Sequence, residues 1–281
     1  MSKSLFSKAM VYKFFREFLA TLGVLALLLG VLAVAYPAEL AVGQDLVLTV
    51  LGVSVAVALL RAWPRRKVTI AFAHPETTIT IKVGDLFDEK SHLVIGFSDT
   101  FDTELGDLIS ADSVQGQFLS RQYRGNTEKL DQDLAAALGS RSFVLDDKKA
   151  KGKQKRYPAG TTSTLSGEGR LFVCSAYSTL RPDTYMAESN IDQIWLSLGN
   201  IWEELRVKGE QRPVAMPVVG SHLARVGGST CATLIRLILL SYFVHSRVTP
   251  ISRHFTLVIA EKDLDRVNLV DIAEFARNLH C

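Results

Sequence analysis

Two long apolar runs near the N-terminus constrain everything else this chain can do. Residues 18–38 carry no charge, and about 20 helical residues cross a bilayer core of roughly 30 Å. This run predicts a transmembrane helix. Residues 46–60 are a second uncharged stretch, shorter than the usual ~20, which Ala62 and Trp63 extend to predict a second span over 46–63. The charges of the intervening residues 39–45 are Glu39 and Asp45, whereas Lys3, Lys8, Lys13 and Arg16 precede the first run and Arg61, Arg65, Arg66 and Lys67 follow the second. The positive-inside bias places both flanks in the cytoplasm and residues 39–45 outside, a multi-pass inner-membrane topology with Tyr36 and Trp63 at opposite interfaces.

Other readings of these runs fit less well. Ala33-Val34-Ala35 has the small residues of a signal-peptide cleavage site, but the apolar stretch is long for a signal and a second follows at once. Helices of a soluble core normally show one polar face, which neither run has. In residues 1–17, the cytoplasmic basic segment, Phe6, Met10, Phe14 and Phe15 recur at near-helical spacing beside the lysines. That pattern fits either an amphipathic helix on the anionic leaflet or a plain basic flank.

Residues 68–281 suffice for one sizeable cytoplasmic domain. The net charge of +3 is largely accounted for by the flanks of the spans and one later loop, so no broad basic field points to nucleic acid. Cys174, Cys231 and Cys281 are too few and too scattered for a disulfide framework or a zinc site, and neither metal nor cofactor is expected.

Residues 68–72 and 78–83 are β-branched runs on either side of Ala73-His74-Pro75-Glu76 and predict a hairpin. Residues 92–97 predict a strand, and 113–123 and 127–138 predict helices, the second stopped by Gly139. Lys148, Lys149, Lys151, Lys153, Lys155 and Arg156 form a basic run that reads as a solvated loop. Residues 171–177 predict a strand, and 186–207 a helix with Ile191, Ile194, Trp195, Leu198, Ile201, Trp202 and Leu205 on one core-facing side. A strand at 212–219, an almost wholly apolar helix at 229–247, a strand at 254–260 and a helix at 269–279 complete the chain. Arg236 interrupts the apolar helix and a strand follows soon after, which favours packing on a sheet over a third span. A hairpin followed by alternating strands and helices predicts a three-layer α/β/α domain with a mixed sheet.

Ligands of α/β sheets bind outside the carboxyl ends of the strands, so the loops there form the candidate site. They are Gly84-Asp85-Leu86 after the second strand and Phe97-Ser98-Asp99-Thr100-Phe101-Asp102 after the third. The last is Gly220-Ser221-His222-Leu223-Ala224-Arg225-Val226-Gly227-Gly228, which runs into a helix. Glycines let a backbone approach a ligand, amides at a helix N-terminus favour an anion such as a pyrophosphate, and Arg225 would add a charge-assisted contact. Gly227-Gly228 serves equally as a simple tight turn. Cys174 lies in an apolar strand, where a buried inert thiol is the usual case, and the adjacent Ser221 and His222 do not define a nucleophile and its base.

At these loops the chain resembles the macro domain family, whose members bind ADP-ribose. The likeness runs from about Thr78 to the C-terminus. It rests on the Gly84-Asp85-Leu86 corner and on Val214-Ala215-Met216-Pro217-Val218-Val219-Gly220 leading to a glycine-bearing loop and helix. It implies that Asp85 accepts a hydrogen bond from the adenine amino group and that Gly220 to Gly228 wrap the diphosphate. Where many macro domains carry an asparagine-rich stretch at the distal ribose, this chain has Gly96 to Asp102, without the asparagine of the hydrolytic members. The resemblance thus implies a binding protein with no catalytic residues and a distal pocket adapted to a modified ADP-ribose. Asp99 and Asp102 would either receive a cationic or hydrogen-bonding substituent or cap the turn.

Two apolar spans ahead of such a domain are similar to the membrane effectors of Thoeris anti-phage systems. That similarity implies a signal of ADP-ribose conjugated to histidine, made from NAD by a TIR-domain partner. It also implies ligand-induced homo-oligomers that breach the membrane, with Asp45 either lining a pore or lying among headgroups. The competing expectations are a membrane-anchored ADP-ribosyl hydrolase, with Asp99, Asp102 or His222 positioning water, and a non-catalytic protein-binding module.

Overall fold

The computed structural model describes residues 8–35, 43–62, 66–139, 141–220, 225–226 and 230–280. The chain divides into two compact units, Met1–Arg65 and Arg66–Cys281. In the first, α1 (Lys8–Ala35) and α2 (Gln44–Ala62) are long and apolar enough to cross a membrane, over Phe14–Ala35 and Gln44–Arg61. Because α1 starts at Lys8, the described part of the basic segment continues the same helix rather than forming a separate one. The helices pack together with Ser54 and Ala58 of α2 fully buried, small residues that let helix backbones approach. Glu17 of α1 meets Arg61 of α2 at 3.6 Å, which sets the two helices antiparallel. Tyr36, Glu39 and Trp63, placed by the sequence at the turn and the interfaces, lie outside the described residues.

The second unit opens with a hairpin, β1 (Lys67–Phe72) and β2 (Thr77–Val83), whose β1 buries Val68, Ile70 and Phe72 in strict alternation. There follow β3 (His92–Ser98), α3 (Val114–Tyr123), α4 (Thr127–Leu138), β4 (Val144–Leu145), β5 (Lys155–Arg156), β6 (Thr162–Gly167), β7 (Arg170–Leu180) and β8 (Ala187–Ser189). Then come α5 (Ile191–Lys208), β9 (Val214–Pro217), β10 (Arg225–Val226), α6 (Cys231–Val248), β11 (His254–Ile259) and α7 (Leu269–Arg277). One sheet runs in the order β1-β2-β11-β9-β3-β7-β8-β10, with β6 also on β7, and β4 pairs with β5 apart from it. β2, β11, β9, β3 and β7 are parallel, whereas β1 runs antiparallel to β2, β6 and β8 run antiparallel to β7, and β10 is parallel to β8. This is the mixed sheet that the sequence predicts.

A parallel sheet is stable only when both faces are covered. Val94 and Val173 point to the face covered by α5, α6 and α7, while Leu93, Ile95 and Phe172 point to the face covered by α3 and α4. On the first face Trp202 meets Tyr242 and Phe255 edge-on, with ring centroids 5.3 and 5.5 Å away, and its indole N–H donates to the Ser241 hydroxyl at 2.9 Å. On the second, Phe118 of α3 and Leu130, Leu134 and Leu138 of α4 are buried. Asn126 caps α4 by accepting from the Lys129 N–H, and Gly139 ends it with a φ of +36°. Although α6 has the length and hydropathy of a third span, its Leu234, Ile235, Ile238, Leu239 and Tyr242 sit in the core.

Several elements depart from the sequence expectation. The helix expected from Met186 starts at Ile191, because Asn190 and Gln193 form a reciprocal capping box and Ala187–Ser189 pair with β7 instead. Ile191 and Trp195, expected on the core side of that helix, are half-exposed. The strand expected over 212–219 is confined to Val214–Pro217. β6 was missed because Thr162-Ser163-Thr164-Leu165-Ser166-Gly167 lacks apolar alternation; its signal is the two-residue turn Glu168-Gly169, both at positive φ (51° and 72°). Truncating Trp202 to Ala removes the largest buried side chain of the first face, and urea unfolding is expected to show a loss of about 3–5 kcal/mol.

Candidate ligand site at the carboxyl edge of the sheet

The five parallel strands deliver their carboxyl ends to one edge. At the end of β2, Gly84 donates its N–H to Ile259 O of β11 at 3.0 Å, which fixes the corner before Asp85. One Asp85 oxygen accepts from the Phe87 N–H at 2.9 Å, capping the short 3₁₀ turn Leu86–Asp88, and the other takes Arg121 of α3 at 2.6 Å. That guanidinium also stands over the Phe87 ring, 5.2 Å from its centroid. The Asp85 side chain remains 33% exposed. It therefore offers acceptor lone pairs at the surface of the edge.

Gly220 follows β9 at a φ of +79°, where glycine avoids the strain of a side chain. Ser221 to Ala224, Gly227 and Gly228 lie outside the described residues. Arg225 and Val226, expected to wrap a ligand, form β10, whose backbone pairs with Glu188 and Ser189 of β8. In strand order β3, β7 and β8 lie between β9 and β10. Thr230 caps α6 by accepting from the Thr233 N–H at 3.2 Å.

The end of β3 is built differently from the sequence expectation. Phe97, Ser98, Asp99, Thr100, Phe101 and Asp102 are all buried, and Phe101 adopts a left-handed φ of 49°. Its ring stacks on Phe97 at 5.4 Å and meets Tyr157 edge-on at 5.5 Å, contacts that offset the strain. Asp99 accepts from the Leu180 N–H at 2.9 Å and pairs with Arg156 at 2.6 Å. Burial pushes its carboxyl above the ordinary range, against the pull of that N–H and the guanidinium. Asp102 pairs with Lys149 at 2.8 Å, the two side chains 1% and 0% exposed, and accepts from the Lys153 N–H at 2.7 Å. The Lys149 ammonium spends its remaining donors on the Lys151 and Lys153 carbonyls, at 2.7 and 3.0 Å.

The basic run is thus not the solvated loop its composition implies. Lys149 and Arg156 are drawn inward because Asp99 and Asp102 need buried counterions, while Lys148 and Lys155 stay exposed. Arg156 fills its fork with Asp99, Asp146 and Leu180 O, tying β5 to the ends of β3 and β7. Neither loop carboxylate is left without an internal cation.

One further residue of the edge is absent from the sequence reading. Tyr177 is the extra residue of a bulge in β7, where Phe97 pairs with Ala176 and Ser98 with Ser178. A Cβ on Gly96 would overlap the Tyr177 ring, so the glycine makes room for it across β3. Burial pushes the phenol up, opposed by a backbone hydrogen bond from Gly220. The signal was a glycine inside an apolar strand, which marks close approach by a neighbour. Cys174 is fully buried and its thiol pushed far up by burial, an inert core residue.

An α/β/α sandwich with its loops gathered at the carboxyl edge of a mixed sheet defines a macro-like domain. Solved structures agree: the Oceanobacillus iheyensis macrodomain with ADP is similar at 13% identity, over 76% of this chain and 97% of that one, with a TM-score of 0.50. The same macrodomain with MES bound is similar at 15% identity, over 76% and 98%, also with a TM-score of 0.50. At such identity the likeness is one of fold. No curated protein matches the chain. Residues 79–260, more than half the chain, match the family model described as Thoeris protein ThsA, Macro domain, and the chain belongs to that family.

Two substitutions check this construction. Lys149→Met strands the Asp102 carboxylate and is expected to cost about 3–5 kcal/mol in urea unfolding, of which Asp102→Asn in the same chain restores a part by removing the unpaired charge. Gly96→Ala is expected to lose about 1–3 kcal/mol by displacing the Tyr177 ring, and the shorter side chain of Tyr177→Leu relieves that loss in the double variant.

Proposed function

We propose that this chain is a membrane-held receptor for an ADP-ribose-type nucleotide rather than an enzyme. The observation that carries the reading is that a macro-domain sheet brings the Asp85 corner and the Gly220 turn to one edge. β2 and β9 are two strand positions apart in the sheet, about 10 Å, a distance an adenosine diphosphate bridges. In this reading the adenine amino group donates to Asp85, which keeps lone pairs beyond those used by Phe87 and Arg121, and Gly220 onward wraps the diphosphate.

The receptor reading is favoured over a hydrolase because Asp99 and Asp102 are committed to Arg156 and Lys149 and are poor candidates for orienting a water. A distal histidine on the nucleotide is then recognised by groups other than these two carboxylates. The matching family model is described as Thoeris protein ThsA, Macro domain, and that description supports the fuller proposal. A TIR-domain partner makes the histidine conjugate of ADP-ribose from NAD on infection, the conjugate binds in the cytoplasm, and bound chains assemble. The clustered helices then disrupt the inner membrane. Assembly requires that the ligand bind the assembled state more tightly, since equal affinity shifts nothing.

Calorimetry with light scattering on the full-length protein in detergent tests the reading. Selective binding of the conjugate with a rise in mass is expected, and Asp85→Ala is expected to weaken binding roughly 10- to 100-fold. No binding of ADP-ribose or its conjugate by folded protein refutes the receptor reading, and release of free ADP-ribose from the conjugate would make the protein an enzyme.

A further inference from the structure

We propose that the β4–β5 hairpin is a second membrane contact, one that docks the macro domain onto an anionic lipid surface. The inference rests on the reading of α1 and α2 as membrane spans. It is independent of nucleotide binding.

The hairpin stands outside the main sheet as a ladder of its own, Val144 opposite Arg156 and Leu145 opposite Lys155. Phe143, Val144 and Leu145 are 42%, 72% and 59% exposed, three large apolar side chains in succession. By the alternation of the ladder Phe143, Leu145 and Lys155 share a face, with Val144 on the side of its partner Arg156; the Lys155 ammonium lies over the Phe143 ring at 4.5 Å, and that ring also meets Tyr157 at 6.0 Å. Lys148, also exposed, follows within the same hairpin. Apolar side chains rimmed by long cationic ones are the composition that enters a headgroup layer, the apolar groups going to the acyl boundary and the ammonium groups to the phosphates.

Two features select a lipid surface as the occupant. The hairpin is held firmly rather than waving in solvent, since Arg156 on its inner side grips Asp99 and Lys149 in its loop grips Asp102. Its outer side therefore presents a fixed surface. It also lies at the carboxyl edge of the sheet, and that is the edge at which the chain enters the domain: Arg66 O accepts from the Val83 N–H at 2.8 Å, and Lys67 pairs with Lys82 at the end of β2. Residues 63–66 alone join α2 to β1, a reach of roughly 17 Å at full extension. If α2 spans the bilayer, this covalent reach bounds how far the entry point Arg66 can stand from it, and anionic lipid there complements the exposed lysines.

The test uses the full-length protein with Cys281→Ser, Cys174 and Cys231 being buried, and one environment-sensitive label at Leu145→Cys. A control label is placed at Lys90→Cys, an exposed position preceding β3 at the opposite edge. Each protein is reconstituted without nucleotide into vesicles of phosphatidylcholine alone or mixed equally with phosphatidylglycerol, both carrying a lipid-phase quencher. The Leu145 label is expected to be quenched in the anionic vesicles and the Lys90 label in neither. Lys148→Gln with Lys155→Gln is expected to lower the docked-to-undocked ratio roughly 30-fold. A Leu145 label that stays as water-accessible as the control, or that is quenched equally in both compositions, overturns the proposal while leaving the spans intact. Failure of the protein to co-float with either vesicle overturns it together with the reading of the spans, and neither result touches nucleotide recognition.

Discussion

The second unit depends on one constraint, that parallel strands bury their hydrogen bonds only when helices cover both faces. Meeting it places α5, α6 and α7 on one side and α3 and α4 on the other. The faces are then closed to ligands. The candidate site lies at the edge where the strands end, and there the chain is irregular: Gly84 turns the corner before Asp85, Tyr177 bulges from β7, Gly220 turns out of β9 and Phe101 is held at positive φ. Packing in the layers permits these irregularities, because Phe97, Phe101 and Tyr157 interlock beneath the edge.

Burying Asp99 and Asp102 at that edge would be costly without partners, since an isolated carboxylate loses its hydration. The insertion between α4 and β6 supplies Lys149 and Arg156, each with its other donors satisfied by carbonyls or a second acid. Breaking such a pair costs more than forming it gains, so its consequence is registration more than net stability. It fixes where the β3 loop ends and where the β4–β5 hairpin stands. The loop at the end of β3 is sealed by the protein's own cations, so both of its carboxylates are committed to internal pairs.

How much of this was legible in the sequence depended on the range of the forces involved. α4 was readable to the residue because Asn126 and Gly139 are local signals, and the β1–β2 hairpin because its β-branched runs flank an obvious turn. The start of α5 was misplaced, although Asn190 and Gln193 spell a capping box, because the apolar pattern extended past it. Lys148 and Lys149 are indistinguishable in composition, yet one is exposed and the other is fully buried. What separates them is Asp102, far away in the chain, and no local pattern contains that information. The Asp85 corner was legible as a motif, but its pairing with Arg121 of α3 was not, for the same reason.

The route by which the chain enters the domain bears on how a receptor of this kind could act. Arg66 is held twice at the carboxyl edge, by its carbonyl on the Val83 N–H and by its guanidinium on Glu261, with one contact at 2.8 Å. Val83 leads directly into Gly84 and Asp85, and Glu261 follows the end of β11, whose Ile259 carbonyl receives the Gly84 N–H. The Glu261 carboxyl is held below its ordinary range by the Arg66 guanidinium. Arg66 is therefore bonded to residues adjacent to the corner that would receive adenine and to its partner strand: Val83 immediately before Gly84, and Glu261 two residues after Ile259. In the receptor reading, a nucleotide at Asp85 acts on the strand ends that also fix Arg66, and no long relay through the core is needed. Such proximity supplies a path but not a direction; the direction comes from the ligand's preference between states, as it must in any linked equilibrium.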